Sequence, residues 1–199
     1  MNKLVAEPLW AQLVIFIPLG AVLVAATVTD LRDRTIPNKL TYSSIPLGLV
    51  CATIVFGVEG LLFGMASVLA SFVVGIFIAA LGWIGGGDVK LLMGVGAFLG
   101  LAGLGATFFY AVLAGAILGL ATTFYTGYLK EMLIRLGRFL RGVFRMFLYK
   151  TSLLREDLET DPRSHIPFAL PILAGGIMAY VEAATGWPGL IEWFIEPFV

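Results

Sequence analysis

The feature that most limits what this chain can fold into is the length of its charge-free runs. Residues 10–29, 40–58 and 61–87 contain no Asp, Glu, Lys or Arg, and the stretch after Lys90 stays uncharged until Lys130. A further apolar run opens at Ile166 and ends near Ala184. A helix needs about 20 mostly apolar residues to cross a bilayer, and each run reaches or approaches that length. The run after Lys90 is too long for one crossing and fits two, with Gly100, Gly103 and Gly105 offering a turn. Composition agrees: 59% of the 199 residues are hydrophobic, 13% are charged and the mean hydropathy is +0.97. A water-soluble domain carries about 45–50% apolar and about 25% charged residues, and a disordered chain is poorer still in apolar residues.

The expected fold is therefore all-α: a polytopic membrane protein forming one domain over residues 1–199. Its six-helix transmembrane bundle has helices at about 10–29, 40–58, 61–84, 89–103, 106–128 and 166–184. The first run exceeds the 7–15 apolar residues of a secretion-signal core, so it is expected to stay as a helix. Sidedness follows from charge. Twelve of the thirteen Lys and Arg residues fall in the loops after helices 1, 3 and 5, whereas the other face has Lys3 and acids such as Glu7, Glu59, Glu192 and Glu196. The positive-inside rule makes the basic face cytoplasmic and puts both termini outside. Within the basic loop, residues 130–150 carry Arg135, Arg138, Arg141 and Arg145 on one side of a helical wheel and Leu136, Phe139, Leu140, Val143, Phe144 and Phe147 on the other. That pattern predicts a cytoplasmic amphipathic helix lying in the lipid headgroup layer.

Charge placement also locates the chemistry. The thirteen bases and thirteen acids balance, so net charge points to no nucleic-acid partner. The lone cysteine, Cys51, excludes an internal disulfide and a multi-cysteine zinc site, and inside an apolar run it reads as a packing residue. His165 has no second His or Cys nearby to share a metal. No phosphate-cradling loop or serine-nucleophile motif occurs, so no metal and no cofactor are expected. Two acids stand apart: Asp30 closes helix 1 and Asp88 opens helix 4 after Gly85-Gly86-Gly87. The sidedness brings both to the cytoplasmic membrane edge. A carboxylate against lipid costs about 2.5–3.5 kcal/mol on insertion scales and is read as functional by default. Glycines let another backbone approach closely, so Gly85, Gly86 and Gly87 are candidate substrate-binding residues, able to pair with an extended peptide. Lys90 is a candidate substrate contact, and its place at the membrane edge also fits a simple snorkelling base. Helix ends further suggest Asp88, at a positive N-terminus, as the base-like partner, and Asp30, at a negative C-terminus, as the proton-bearing one.

Gly85-x-Gly87-Asp88 followed by Val89-Lys90, the earlier Asp30-Leu-Arg-x-Arg-x-Ile-Pro-Asn and the late Ile166-Pro-Phe-Ala-Leu-Pro together resemble the type IV prepilin peptidase family. These are GxGD membrane aspartyl proteases that include the short Flp-type prepilin and archaeal preflagellin peptidases. The resemblance covers roughly residues 10–184. It implies an aspartic endopeptidase of the inner membrane that removes the leader of pilin-like precursors at the cytoplasmic face, with Asp30 and Asp88 as the catalytic pair. Asp33, three residues beyond Asp30, then reads as a solvated charge. Long bacterial members carry a cytosolic insert with paired cysteines and also methylate the new N-terminus. Neither that insert nor the paired cysteines occur in this sequence, so cleavage without methylation is expected. Ala169 stands where many relatives have glycine. Two other classes fit an acid pair in an apolar chain: a small ion- or proton-coupled transporter, and a non-catalytic subunit of a pilus or secretion machine.

Overall fold

The computed structural model describes residues 6–80, 84–126 and 168–185. The described residues are helical apart from short turns. Helix α1 spans Leu9–Asp33, α2 Asn38–Ala80, α3 Gly86–Thr126 and α4 Ala169–Thr185. Among the described residues three stretches are long and apolar enough to cross a membrane, Leu9–Asp33, Asn38–Ala79 and Gly86–Thr122, with Ala169–Glu182 a shorter apolar helix. The amphipathic segment expected at 130–150 and His165 lie outside the described residues.

Where two pairs of separate helices were expected, α2 and α3 each run on through a single non-helical glycine, Gly57 (φ 62°, ψ −144°) and Gly100 (φ 68°, ψ −177°). Positive φ at these angles is open to glycine and strained for other residues. The chain doubles back at Gly57: a Cβ placed on Gly60 would run into the Ala52 carbonyl, and one on Gly64 would lie 2.8 Å from a Leu49 methyl. Of the three glycines offered for the second turn, Gly100 takes it, while Gly103 and Gly105 stay helical.

Local chemistry sets the helix ends. Arg34 closes α1 in the left-handed conformation (φ 51°, ψ 31°), its N–H donating to the Asp30 carbonyl at 2.9 Å. Pro37 blocks continuation of the helix and its carbonyl accepts the Leu40 and Thr41 N–H groups to start α2. Pro171 sits in the first turn of α4, where its missing N–H costs no helical bond.

The described residues fall into two compact units, one holding those up to Ala114 together with α4, the other those from Gly115 onward in α3. In the first, α1 packs against α2 and α4. A buried stripe on α1 runs through Ile15, Leu19, Leu23 and Ala26 and ends in Asp30, meeting Ala169 and Ile172 of α4 within a core that also holds Leu91, Val95 and Phe98 of α3. Cys51 belongs to this core. Small residues allow close approach: Gly48 faces Phe98, Gly94 faces Ser44, and Gly96 faces Ser67 and Ser71. The buried serines satisfy their hydroxyls on carbonyls three or four residues back. Outward faces are apolar, as at Ile17, Val28, Phe63, Leu69 and Phe77, which are 57–67% exposed. That much exposed apolar surface suits lipid as the surrounding medium.

Candidate active site

Asp30 continues the inward stripe of α1, four residues after Ala26, and only 7% of it is exposed. Its Oδ2 accepts the N–H of Ala169 at 3.1 Å. Ala169 is the first residue of α4, and the first N–H groups of a helix have no partner inside it. The carboxylate thus fills a need created by a distant segment. Thr27 lines the same contact, donating to the Leu23 carbonyl at 2.8 Å and to the Ala169 carbonyl at 3.3 Å.

Asp88 is placed by its own helix. Gly85 caps α3, its carbonyl accepting the Val89 N–H, and the Asp88 Oδ2 reaches back to accept the Gly85 N–H at 3.1 Å. An acid at the third helical position closing on the cap residue is one half of a capping box. Among the three glycines, a Cβ on Gly85 would press on Asp88 Oδ2 at 3.1 Å and one on Gly87 would touch Ile36 at 3.5 Å. A Cβ on Gly86 would meet nothing within 4 Å among the described residues.

The chain reversal after Arg34 lays Ile36 against Gly87, which joins the segment following Asp30 to the segment preceding Asp88. That contact brings the C-terminal end of α1 and the start of α3, which carry the two acids, to the same end of the bundle. Each uses one oxygen on a backbone N–H, and among the described residues Oδ1 of each accepts no hydrogen bond. The helix ends do not assign the two acids different roles. Asp30 does end α1, but it also faces the positive N-terminus of α4, so both acids sit at a helix start and the macrodipole does not divide them.

Asp33 points outward, its side chain 59% exposed and 3.9 Å from the Arg32 guanidinium. Lys90 donates to the Asn38 side-chain oxygen at 2.8 Å and stands 4.7 Å from the centre of the Tyr42 ring. Two partners at these helix ends, the Ala169 N–H and Asn38, and one pair away from them, Tyr110 with Glu182, were not identified from the sequence. The Ala169 N–H lies in the late proline motif, yet a backbone donor has no sequence signature of its own. Asn38 ends the Ile-Pro-Asn motif and was given no role. Glu182, a single acid inside the last apolar run, accepts a hydrogen bond from the Tyr110 hydroxyl. Its sequence signal was the charge itself, since an acid inside an apolar helix is rarely idle. Among the described residues no group of three or more His, Cys, Asp or Glu could hold a metal.

A helical protein with long apolar helices and an acid at each of two helix ends is the class these features define. Comparison with known proteins narrows it. The type IV leader peptidase family profile matches residues 17–120, which include Asp30, Gly85–Asp88 and Lys90. A Bacillus subtilis (strain 168) protein named prepilin leader peptidase/N-methyltransferase is 31% identical over 170 residues, 84% of this chain and 54% of that protein. This chain belongs to the type IV leader peptidase family. It spans about half the length of that curated relative. No solved structure matches it.

Proposed function

We propose that this protein is a membrane-embedded aspartic endopeptidase that removes the leader of pilin-like precursors, with Asp30 and Asp88 as its catalytic pair. One observation carries the reading: the approach of Ile36 to Gly87 joins the helix ends that carry the two acids, and a backbone N–H orients one oxygen of each. Two close carboxyl groups share protons rather than both ionising. The ionised one takes a proton from a water molecule as the water oxygen attacks the scissile carbonyl carbon. The protonated one gives its proton to the carbonyl oxygen. Collapse of the tetrahedral intermediate breaks the C–N bond: the proton taken from water passes to the leaving amine, and one hydroxyl of the intermediate returns its proton to the other carboxylate as the new carboxyl group forms. The N–H bonds from Ala169 and Gly85 fix both carboxyl planes before substrate arrives, which lowers the cost of alignment.

Gly85, Gly86 and Gly87 supply the open edge along which an extended peptide lies. In the membrane, Gly57 and Gly100 divide α2 and α3 into hairpins, giving six crossings with both termini outside and the acids at the cytoplasmic face of the inner membrane. The position of the acids at helix ends favours peptide hydrolysis over ion transport, whose sites lie near the bilayer midplane. A lack of the cysteine-bearing insert supports cleavage without methylation.

The test is co-expression with pilin-like precursors encoded nearby. The expected result is a mobility shift of the precursor that disappears with Asp88→Asn, and a free amine at the new N-terminus by mass spectrometry. Unchanged precursor with the native protein would sink the reading.

A further inference from the structure

Lys90 follows Asp88 by two residues, which at 3.6 residues per turn turns its side chain roughly 200° away from the acid. Residues so spaced do not face each other on a helix, and the ammonium is taken up elsewhere. It donates to Asn38 Oδ1 at 2.8 Å and lies 4.7 Å from the centre of the Tyr42 ring, both on the first turns of α2. These contacts sit at one end of a close-packed seam in which Gly94 faces Ser44 and Gly48 faces Phe98. The seam lets the two helices approach, but small residues alone set neither the height nor the rotation of one helix against the other. The Lys90 ammonium adds a directional contact at the exposed end of this seam, because the amide oxygen fixes one direction and the aromatic face a second.

Position matters here because of what each helix start carries. Asn38 follows Ile36 and Pro37, which lead directly from Arg34 and the buried Asp30 carbonyl that Arg34 closes on. Lys90 belongs to the turn that Asp88 caps, and Gly87 in that turn already touches Ile36. The connections close a ring: Asp30 to Arg34, Ile36 to Gly87, Asp88 to Lys90, Lys90 to Asn38. We propose that Lys90 is a positioning residue, pinned by Asn38 and Tyr42, that sets the start of α3 against the segment after Asp30 and so fixes the separation of the two acids. In this role Lys90 acts through the placement of Asp88 rather than by touching the substrate. The proposal rests on the reading of Asp30 and Asp88 as the working pair.

The contact between Ile36 and Gly87 gives a readout that needs no substrate. A Cβ on Gly87 would lie 3.5 Å from the Ile36 Cβ, at the near edge of the roughly 3.5–4.5 Å range of a disulfide. In a full-length Cys51→Ala background, the Ile36→Cys and Gly87→Cys pair should crosslink on mild oxidation in native membranes, followed by loss of labelling with a maleimide polymer. Adding Lys90→Met should slow crosslinking by about fivefold or more, and so should Asn38→Leu, with the two together no slower than either because they break one contact. Lys90→Arg and Asn38→Asp keep a donor and an acceptor and should crosslink at about the parent rate. In the cleavage assay without engineered cysteines, Lys90→Met should lower kcat by about ten- to a hundredfold with KM little changed.

Crosslinking that ignores Lys90→Met would overturn the proposal. So would a raised KM at unchanged kcat, the mark of a lost substrate contact. If the native protein cleaves no precursor while the crosslinking series behaves as expected, the peptidase reading falls and the pin stands.

Discussion

Asp30 and Asp88 make the same kind of bond by opposite routes. Asp88 accepts the N–H of Gly85, three residues back on its own helix start, in a setting open to water. Asp30 accepts the N–H of Ala169, 139 residues further along the chain, in a buried contact. The first bond forms whenever α3 begins at Gly85. The second exists only when α1 and α4 have packed, so it reports on assembly of the bundle as well as on the site. One acid is thus oriented by local helix chemistry and the other by tertiary structure.

The largest expected effect probes what the two acids share. Asp30→Asn and Asp88→Asn should each reduce precursor cleavage by on the order of 10²–10⁴. If the pair acts as a unit, the double variant should be little worse than either single one. A cleavage assay showing one variant near native activity would break the equivalence.

The next effect separates them. Asp30→Ala leaves the Ala169 N–H buried without a partner, a loss of about 1–3 kcal/mol. Asp88→Ala exposes the Gly85 N–H to water, so its cost should stay nearer the lower end of the capping range, about 0.5–1 kcal/mol. Unfolding in detergent, with both variants measured side by side, should rank Asp30→Ala as the less stable. Equal losses would mean that the remote bond carries no more weight than the local cap.

Ala169→Gly sharpens the point, because it keeps the N–H and deletes only a fully buried methyl group. Cleavage should stay within about twofold, and stability should fall by about 0.5–1 kcal/mol. A large loss of activity would show that the side chain, rather than the N–H, serves Asp30. The smallest effect belongs to Asp33→Asn. Its carboxylate is exposed and only loosely paired with Arg32, and such surface pairs contribute about 0–1 kcal/mol. Cleavage and unfolding should both match the parent within about twofold, and a marked loss of cleavage would move the working acid from Asp30 to Asp33.

The two acids also differ in how far they can be read in advance. The glycine triplet, the acid behind it and the apolar run that follows are enough to place Asp88 at a helix start, because capping is decided within four residues. Choosing Asp30 over Asp33 rested on motif resemblance, since an almost wholly apolar α1 offers no polar face to betray which side turns inward. The structure supplies the missing rotation by packing Ile15, Leu19, Leu23 and Ala26 inward in line with Asp30. Likewise, the break in α2 was expected near residues 58–61, and two glycines flank it. Gly57 takes the positive φ while Gly60 packs on Ala52, a choice settled by contact between the two arms.

By itself, then, the sequence determined the medium, the helical class, the candidate acids and the cap that holds Asp88. These depend on run length, charge placement and neighbours within one turn. Only the tertiary structure decided that the Ala169 N–H meets Asp30, that Lys90 is taken by Asn38 and Tyr42, and that Tyr110 holds Glu182. Each of those joins helices distant in the chain. Helices apolar all round can pack in many rotations, and the pairing is settled by how their small residues interlock.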